Sequence, residues 1–203
     1  DKLLVATGAS ATVPEIAGVE LEGVSVLRSI DDARNIHNWI KTARHAVVLG
    51  AGPVGLHSTQ ILVRNGISVS LVVSSKHVLS TLAPRAATSA FEEQLSGAGV
   101  SRCFGRSVKE IGGDHHVREV ILDDDTTIAC DLVVIGKGVT PDRELVGGPG
   151  MAVGAGIRVD ARLRTTDPDI YAAGDVIEGY DTIRKRPRLN AMWPNAVSQG
   201  RVA

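Results

Sequence analysis

The 203-residue chain is short of cysteine, of long apolar runs and of net charge. Its only cysteines, Cys103 and Cys130, stand far apart with no C-x-x-C or longer paired motif. That excludes a disulfide framework, a zinc site and a self-contained redox disulfide, and reads as two buried bystander thiols. No run approaches the roughly 18 apolar residues of a membrane span, and the opening DKLLVATGAS lacks the charge-then-apolar order of a signal peptide, so no membrane association and a cytoplasmic location are expected. A formal net charge of −1 supplies no global field toward nucleic acid or lipid and leaves small-molecule chemistry.

The apolar content of 43% is ample for a buried core, in one average domain or parts of two. Because LLVATG would open the chain inside a buried strand, residues are expected upstream.

Residues 2–6 read as a strand and ATVPEIAG as an irregular connection. Ser29-Ile30-Asp31-Asp32 reads as the N-cap region of a helix reaching about Ala43, with Ile30, Ala33, Ile36, His37 and Ile40 on one face. A strand over 45–49, a glycine-rich turn over 50–55, a helix over 53–64 stopped by Asn65-Gly66, and a strand over 68–73 make one strand, helix, strand unit. A helix over 84–98 and a strand over 100–104 follow. SVKEIG, HVREVILD and TTIAC, broken by Gly112-Gly113-Asp114 and Asp123-Asp124-Asp125, read as an antiparallel meander. DLVVIG, 131–136, is a buried strand; Lys137–Gly156 reads as a linker. The last part reads as one strand, IYAAGD, a basic loop IRKRPR (183–188) and a helix start, PNAVSQGRVA. ATG at 6–8 and AAGD at 172–175 both end apolar strands on glycine, which suggests that they belong together.

Gly50, Gly52 and Gly55 form G-x-G-x-x-G directly after a strand and at the mouth of a helix. Gly50 permits the tight turn, Gly52 lets the backbone approach a pyrophosphate, and Gly55 lets helix and strand pack closely. Pro53 and Val54 open the helix, whose N–H groups and partial positive charge face the phosphates. NAD sites usually place an acid about 20 residues on, to accept the ribose hydroxyls. Here that position is Val73, which neither accepts nor donates. Ser74, Ser75, Lys76 and His77 then offer hydroxyls, a fixed charge and a titratable ring near a would-be 2′-phosphate, a lean toward NADPH. Asp114-His115-His116 reads as a hairpin turn and not a metal site.

DKLLVATGA, VVLGAGPVGL, DLVVIGKGVTPD and TTDPDIYAAGDV, in that order, resemble the motifs of the FAD-dependent pyridine nucleotide-disulfide oxidoreductases, in the NADH oxidase, coenzyme A-disulfide reductase and nitrite reductase-like branch. The resemblance implies an α/β fold: a Rossmann-like NAD(P)H-binding domain, parallel sheet plus meander, flanked by parts of an FAD-binding domain. Expected boundaries are 1–25 for an FAD-domain segment and linker, 26–146 for the NAD(P)H domain and 147–203 for an incomplete FAD-domain segment. It also implies that Thr7, Gly8, Gly174 and Asp175 hold FAD, that the nicotinamide lies near His57 and Gly136, and that hydride passes from NAD(P)H to FAD and on to a disulfide, oxygen or a small electron carrier. IRKRPR then reads as a solvated loop or a dock for an acidic partner.

The family's own FAD fingerprint, its redox cysteine and its C-terminal interface domain, which carries homodimer contacts, have no counterpart here, so a fragment inactive alone is expected. His57 stands where many members carry glutamate. The alternatives are a stand-alone NAD(H)-sensing module without catalysis, which has no need of Asp175, and a partner-binding scaffold built on IRKRPR.

Overall fold

The computed structural model describes residues 1–146 and 152–203. The chain divides into two compact units, Asp1–Ser10 with Val139–Ala203 and, between them in sequence, Ala11–Gly138. The elements begin with β1 (Leu3–Val5), β2 (Ala9–Ala11), β3 (Val24–Val26), α1 (Ile30–Ile40), β4 (His45–Leu49), α2 (Pro53–Arg64), β5 (Ser68–Val73), α3 (Arg85–Gly97) and β6 (Ser101–Phe104). They continue with β7 (Val108–Gly113), β8 (Val117–Leu122), β9 (Thr127–Ala129), β10 (Leu132–Ile135), β11 (Val139–Pro141), β12 (Ile157–Arg158), β13 (Ile170–Ala172), β14 (Ile177–Asp181), β15 (Arg186–Leu189) and α4 (Trp193–Val202).

In the unit 11–138 a parallel sheet runs in the order β3-β10-β4-β5-β6. Its strands are near-continuous apolar runs because both faces are covered. On one face Ala46, Val48, Leu71, Val73, Leu132 and Val134 pack with Ile36 and Leu62 from the helices. On the other, Val47, Leu49, Val72, Val133 and Ile135 pack with Ile111, Val117, Val120 and Leu122 of the antiparallel sheet β7-β8-β9. Val47, Val48 and Leu49 are fully buried, and each such side chain contributes roughly 1.5–3 kcal/mol relative to exposure. Asp131 ties the start of β10 to that of β4. Its carboxylate accepts the backbone N–H groups of Arg44 (2.8 Å) and His45 (3.0 Å), and the Arg44 bond leads in holding its pKa below the ordinary aspartate value.

Helix α1 starts on a capping box. Ser29 Oγ accepts the N–H of Asp32 at 3.1 Å, and the Asp32 carboxylate accepts the N–H of Ser29 at 2.7 Å. Its buried face differs from the expected one. Ile30, Ala33 and His37 are exposed, while Ile36 is buried and Trp39 and Ile40 are packed against the core. Only the C-terminal half of the helix leans on the sheet, so the stripe begins a turn later.

In the other unit β1 pairs in parallel with β13, β2 pairs with β11, and β12-β14-β15 form a small mixed sheet. This corrects the reading of 157–189 as a single strand and a basic loop. Arg186–Leu189 is a strand, antiparallel to Ile177–Asp181, and the basic run is split between the hairpin's turn and β15. The expected linker 137–156 holds β11 and a 3-10 turn, Glu144–Val146; its residues 147–151, with the expected boundary at 146/147, lie outside the described residues. The boundary expected at 25/26 falls inside the middle unit, where Ala17 bridges to Glu110 and Glu22 to His116.

Candidate functional site

Three glycines lock the turn between β4 and α2. Gly50 has φ +99° and donates its N–H to Val72 O at 2.8 Å. A β-carbon on it would lie 2.5 Å from Gly136 O, and one on Gly55 would lie 1.9 Å from Gly50 O. Gly136, at the end of β10, would place a β-carbon 3.0 Å from the Gly55 Cα. Turn, helix and neighbouring strand therefore touch through bare backbone, and the structure brings Gly136 to the turn as a packing partner.

Gly52 is different, since a β-carbon there would meet nothing within 4 Å. It is the N-cap of α2, in extended conformation, with no side chain capping the helix and no acid in the first turn. Pro53 and Val54 are exposed beside it. Open N–H groups and an un-neutralised positive helix end suit a pyrophosphate. The residues fit the group.

The loop after β5 is more constrained than its polarity suggests. The Val73 side chain is buried in the core, and its carbonyl accepts the Arg106 N–H at 3.2 Å. Ser75 Oγ donates to His77 O at 2.8 Å, and the His77 ring is held by Val78 O and Thr88 Oγ1. Ser74 and Lys76 are exposed, and among the described residues neither side chain has a partner there. Arg106, which sequence reasoning missed, joins this edge because Gly105 N–H also donates to Ser75 O; Arg106 pairs with Asp124 at 2.8 Å. The signal was its place just after β6, next in the sheet to β5.

His57 is exposed and shares a stripe of α2 with Gln60 and Arg64 that faces α3 across a cavity of about 610 Å³ lined by Leu56, Leu82 and Phe91. Gly136 packs against Gly55, two residues before His57 in the same helix.

In the unit 1–10 with 139–203, β1 and β13 run in register, Val5 beside Ala172, and Ala173 N–H donates to Val5 O at 3.0 Å. ATG and AAGD thus sit at the carboxyl ends of paired parallel strands. Gly8 (φ +78°) and Gly174 (φ +83°) both turn through the left-handed region. Thr7 Oγ1 donates to Asp142 O, and Asp142 N–H to Gly8 O at 3.0 Å. Gly174 N–H donates to Gln199 Oε1 of α4 at 2.7 Å, a positioning role that sequence reasoning missed. Asp175 is half-buried one residue on. Carboxyl strand ends with two left-handed glycines are where α/β folds admit a ligand, so Thr7, Gly8, Gly174 and Asp175 fit a flavin nucleotide.

Neither thiol is poised for chemistry. Burial, with Asp131 and Glu119 behind it, pushes Cys130 up to about 12, and burial also raises Cys103. Asp114-His115-His116 occupies the turn between β7 and β8.

The model of the family described as pyridine nucleotide-disulphide oxidoreductase matches residues 1–200. The chain belongs to that family. It is 35% identical over 204 residues to the NADH-dependent phenylglyoxylate dehydrogenase subunit epsilon of Aromatoleum evansii, covering 100% of this chain and 48% of that one. It is 34% identical over 176 residues to the rubredoxin-NAD(+) reductase of Pseudomonas putida, covering 86% and 46%. The crystal structure of the ferredoxin reductase for the CYP199A2 system from Rhodopseudomonas palustris superposes with a TM-score of 0.93 at 32% identity, over 98% of this chain and 50% of that one. The chain spans about half the length of the curated relatives it matches.

Proposed function

We propose that this chain carries the nucleotide-holding parts of a flavoprotein oxidoreductase that passes hydride from NAD(P)H to FAD and on to a disulfide, oxygen or a small electron carrier. The observation that carries the reading is the open, uncapped turn at Gly52, at the carboxyl end of a parallel sheet. Bound FAD would supply hydride acceptance and onward electron transfer. The chain's own residues bind and orient: Gly52, Val54 and Gly55 receive the pyrophosphate, Ser74 and Lys76 face the adenosine ribose, and Thr7, Gly8, Gly174 and Asp175 hold the flavin nucleotide. Gly50 and Gly136 shape the turn.

The finer reading is a lean to NADPH. It rests on residues 73–76 alone, because both relatives above carry NADH or NAD(+) in their names. For the acceptor, a protein carrier with an acidic face fits best. The β14–β15 hairpin presents Lys185 and Arg186 beside Ile183, which is 87% exposed, and one relative is named for rubredoxin. A homodimer of the whole protein is part of the same reading, and sedimentation of the whole protein tests it.

The test is a calorimetric titration of NADH, NADPH and FAD into wild type, Lys76→Ala and Asp175→Ala. Losing one charge-assisted contact should weaken NADPH about tenfold in Lys76→Ala and leave NADH unchanged. Asp175→Ala should lose FAD and keep NADH. Equal losses of NADH and NADPH in Lys76→Ala would remove the 2′-phosphate reading, and unchanged FAD binding in Asp175→Ala would remove the flavin reading.

A further inference from the structure

Beside the glycine turn stands a cation that, among the described residues, no anion neutralises. Lys137 follows Gly136 at the carboxyl end of β10, and its Cδ lies 3.7 Å from where a β-carbon on Gly50 would be. The ammonium, two bonds further along, therefore stays close to the first glycine of the turn. Lys137 is half-buried, and among the described residues its ammonium makes no hydrogen bond or ion pair. By contrast, the more exposed Lys2 and Lys109 each pair with an aspartate. Burial holds the Lys137 pKa below the ordinary lysine value, with no carboxylate acting the other way. A partly desolvated amine without an anion is an unfavourable arrangement, and the N-terminus of α2 next to it adds positive partial charge and no acid.

The sheet order decides which half of a bound nucleotide the ammonium meets. In β3-β10-β4-β5-β6, β10 and β5 flank β4 on opposite sides. The loop after β5 carries Ser74 and Lys76, where the adenosine ribose lies in the reading proposed above, on which this inference rests. The loop after β10, with Lys137, is then on the nicotinamide side.

We propose that Lys137 faces the nicotinamide half of the bound dinucleotide and makes the site hold the reduced form more tightly than the oxidised form. Reduced and oxidised nucleotides share one pyrophosphate and differ by a positive charge on the nicotinamide ring. A fixed ammonium attracts the pyrophosphate equally in both and repels only the oxidised ring. Once hydride has left, the ring carries that charge, and the same lysine favours release of the spent nucleotide. Lys137 is thus a specificity-determining residue for redox state, separate from the choice between NADH and NADPH at Lys76.

The test is calorimetric titration of the 203-residue chain with NADH, NAD+ and ADP-ribose, the last serving as a reference without the ring. In wild type, NADH should bind more tightly than NAD+. Lys137→Met should shrink the ratio of the two Kd values about tenfold, while Lys137→Arg keeps it within about twofold of wild type. If the Met variant fails to fold, Lys137→Gln removes the same charge. A ratio unchanged without the charge overturns the proposal, as does an equal loss for NADH, NAD+ and ADP-ribose, which would reduce Lys137 to a phosphate contact. Failure of wild type to bind any of the three would instead overturn the dinucleotide reading beneath it.

Discussion

At Gly55 a β-carbon would lie 1.9 Å from the carbonyl oxygen of Gly50, and at Gly52 it would meet nothing within 4 Å. The two glycines of one motif therefore separate experimentally. Gly55→Ala should destabilise the chain by about 1–3 kcal/mol, since helix and turn must move apart. Gly52→Ala should leave the unfolding midpoint in denaturant nearly unchanged and still weaken NADH binding, because the added methyl occupies the approach of the pyrophosphate. Unfolding curves and calorimetry on both variants check this, and a Gly55→Ala protein as stable as wild type would contradict it. The motif was legible because its spacing is local. So were the separate roles of Gly52 and Gly55; the packing of Gly136 on Gly50 and Gly55 was not, because Gly136 arrives from 86 positions beyond Gly50 in sequence. The same distance concealed Lys137.

Elements were legible where burial on both faces wrote them as apolar runs: 45–49, 68–73 and 132–135 all became strands of the parallel sheet. They were obscure where packing is one-sided or the composition is charged, as in the face of α1 and the strand Arg186–Leu189. The start of α1 was legible because a capping box is chemistry within four residues. Burial acts to raise the Asp32 pKa, but the N–H groups of Ser29 and Arg28 outweigh it and hold it below 3.8. A lowered carboxylate pKa means that the cap contributes fully above about 3.8 and is lost as pH falls through the folded value. Ser29→Ala should cost about 1 kcal/mol at pH 7, measured by urea unfolding. The stability gap between wild type and Asp32→Asn should narrow as pH drops below that range; a gap that widens there would contradict the cap.

Over the whole molecule, the order of four motifs made the arrangement legible: one unit built from both ends of the chain and a second between them. Apolar strands ending on glycine in distant segments, ATG and AAGD, did become parallel partners, although the expected burial of the first strand holds only at Val5, with Leu3 and Leu4 exposed. The divisions at 10/11 and 138/139 were not legible, since the bridges of Ala17 and Glu22 to the meander depend on tertiary contacts that no local pattern records. In the proposed reading, the Gly50–Gly55 turn and the glycine ends of β1 and β13 supply the groups that hold the two nucleotides. The central claim is that a dinucleotide lies on the Gly50–Gly55 turn, and amide NMR spectra of the 203-residue chain titrated with NADH test it most directly. Saturable shifts centred on Gly52, Val54 and Gly55, extending to Lys137, are predicted. The absence of saturable shifts at millimolar NADH, or saturable shifts confined to residues away from that turn, would contradict it.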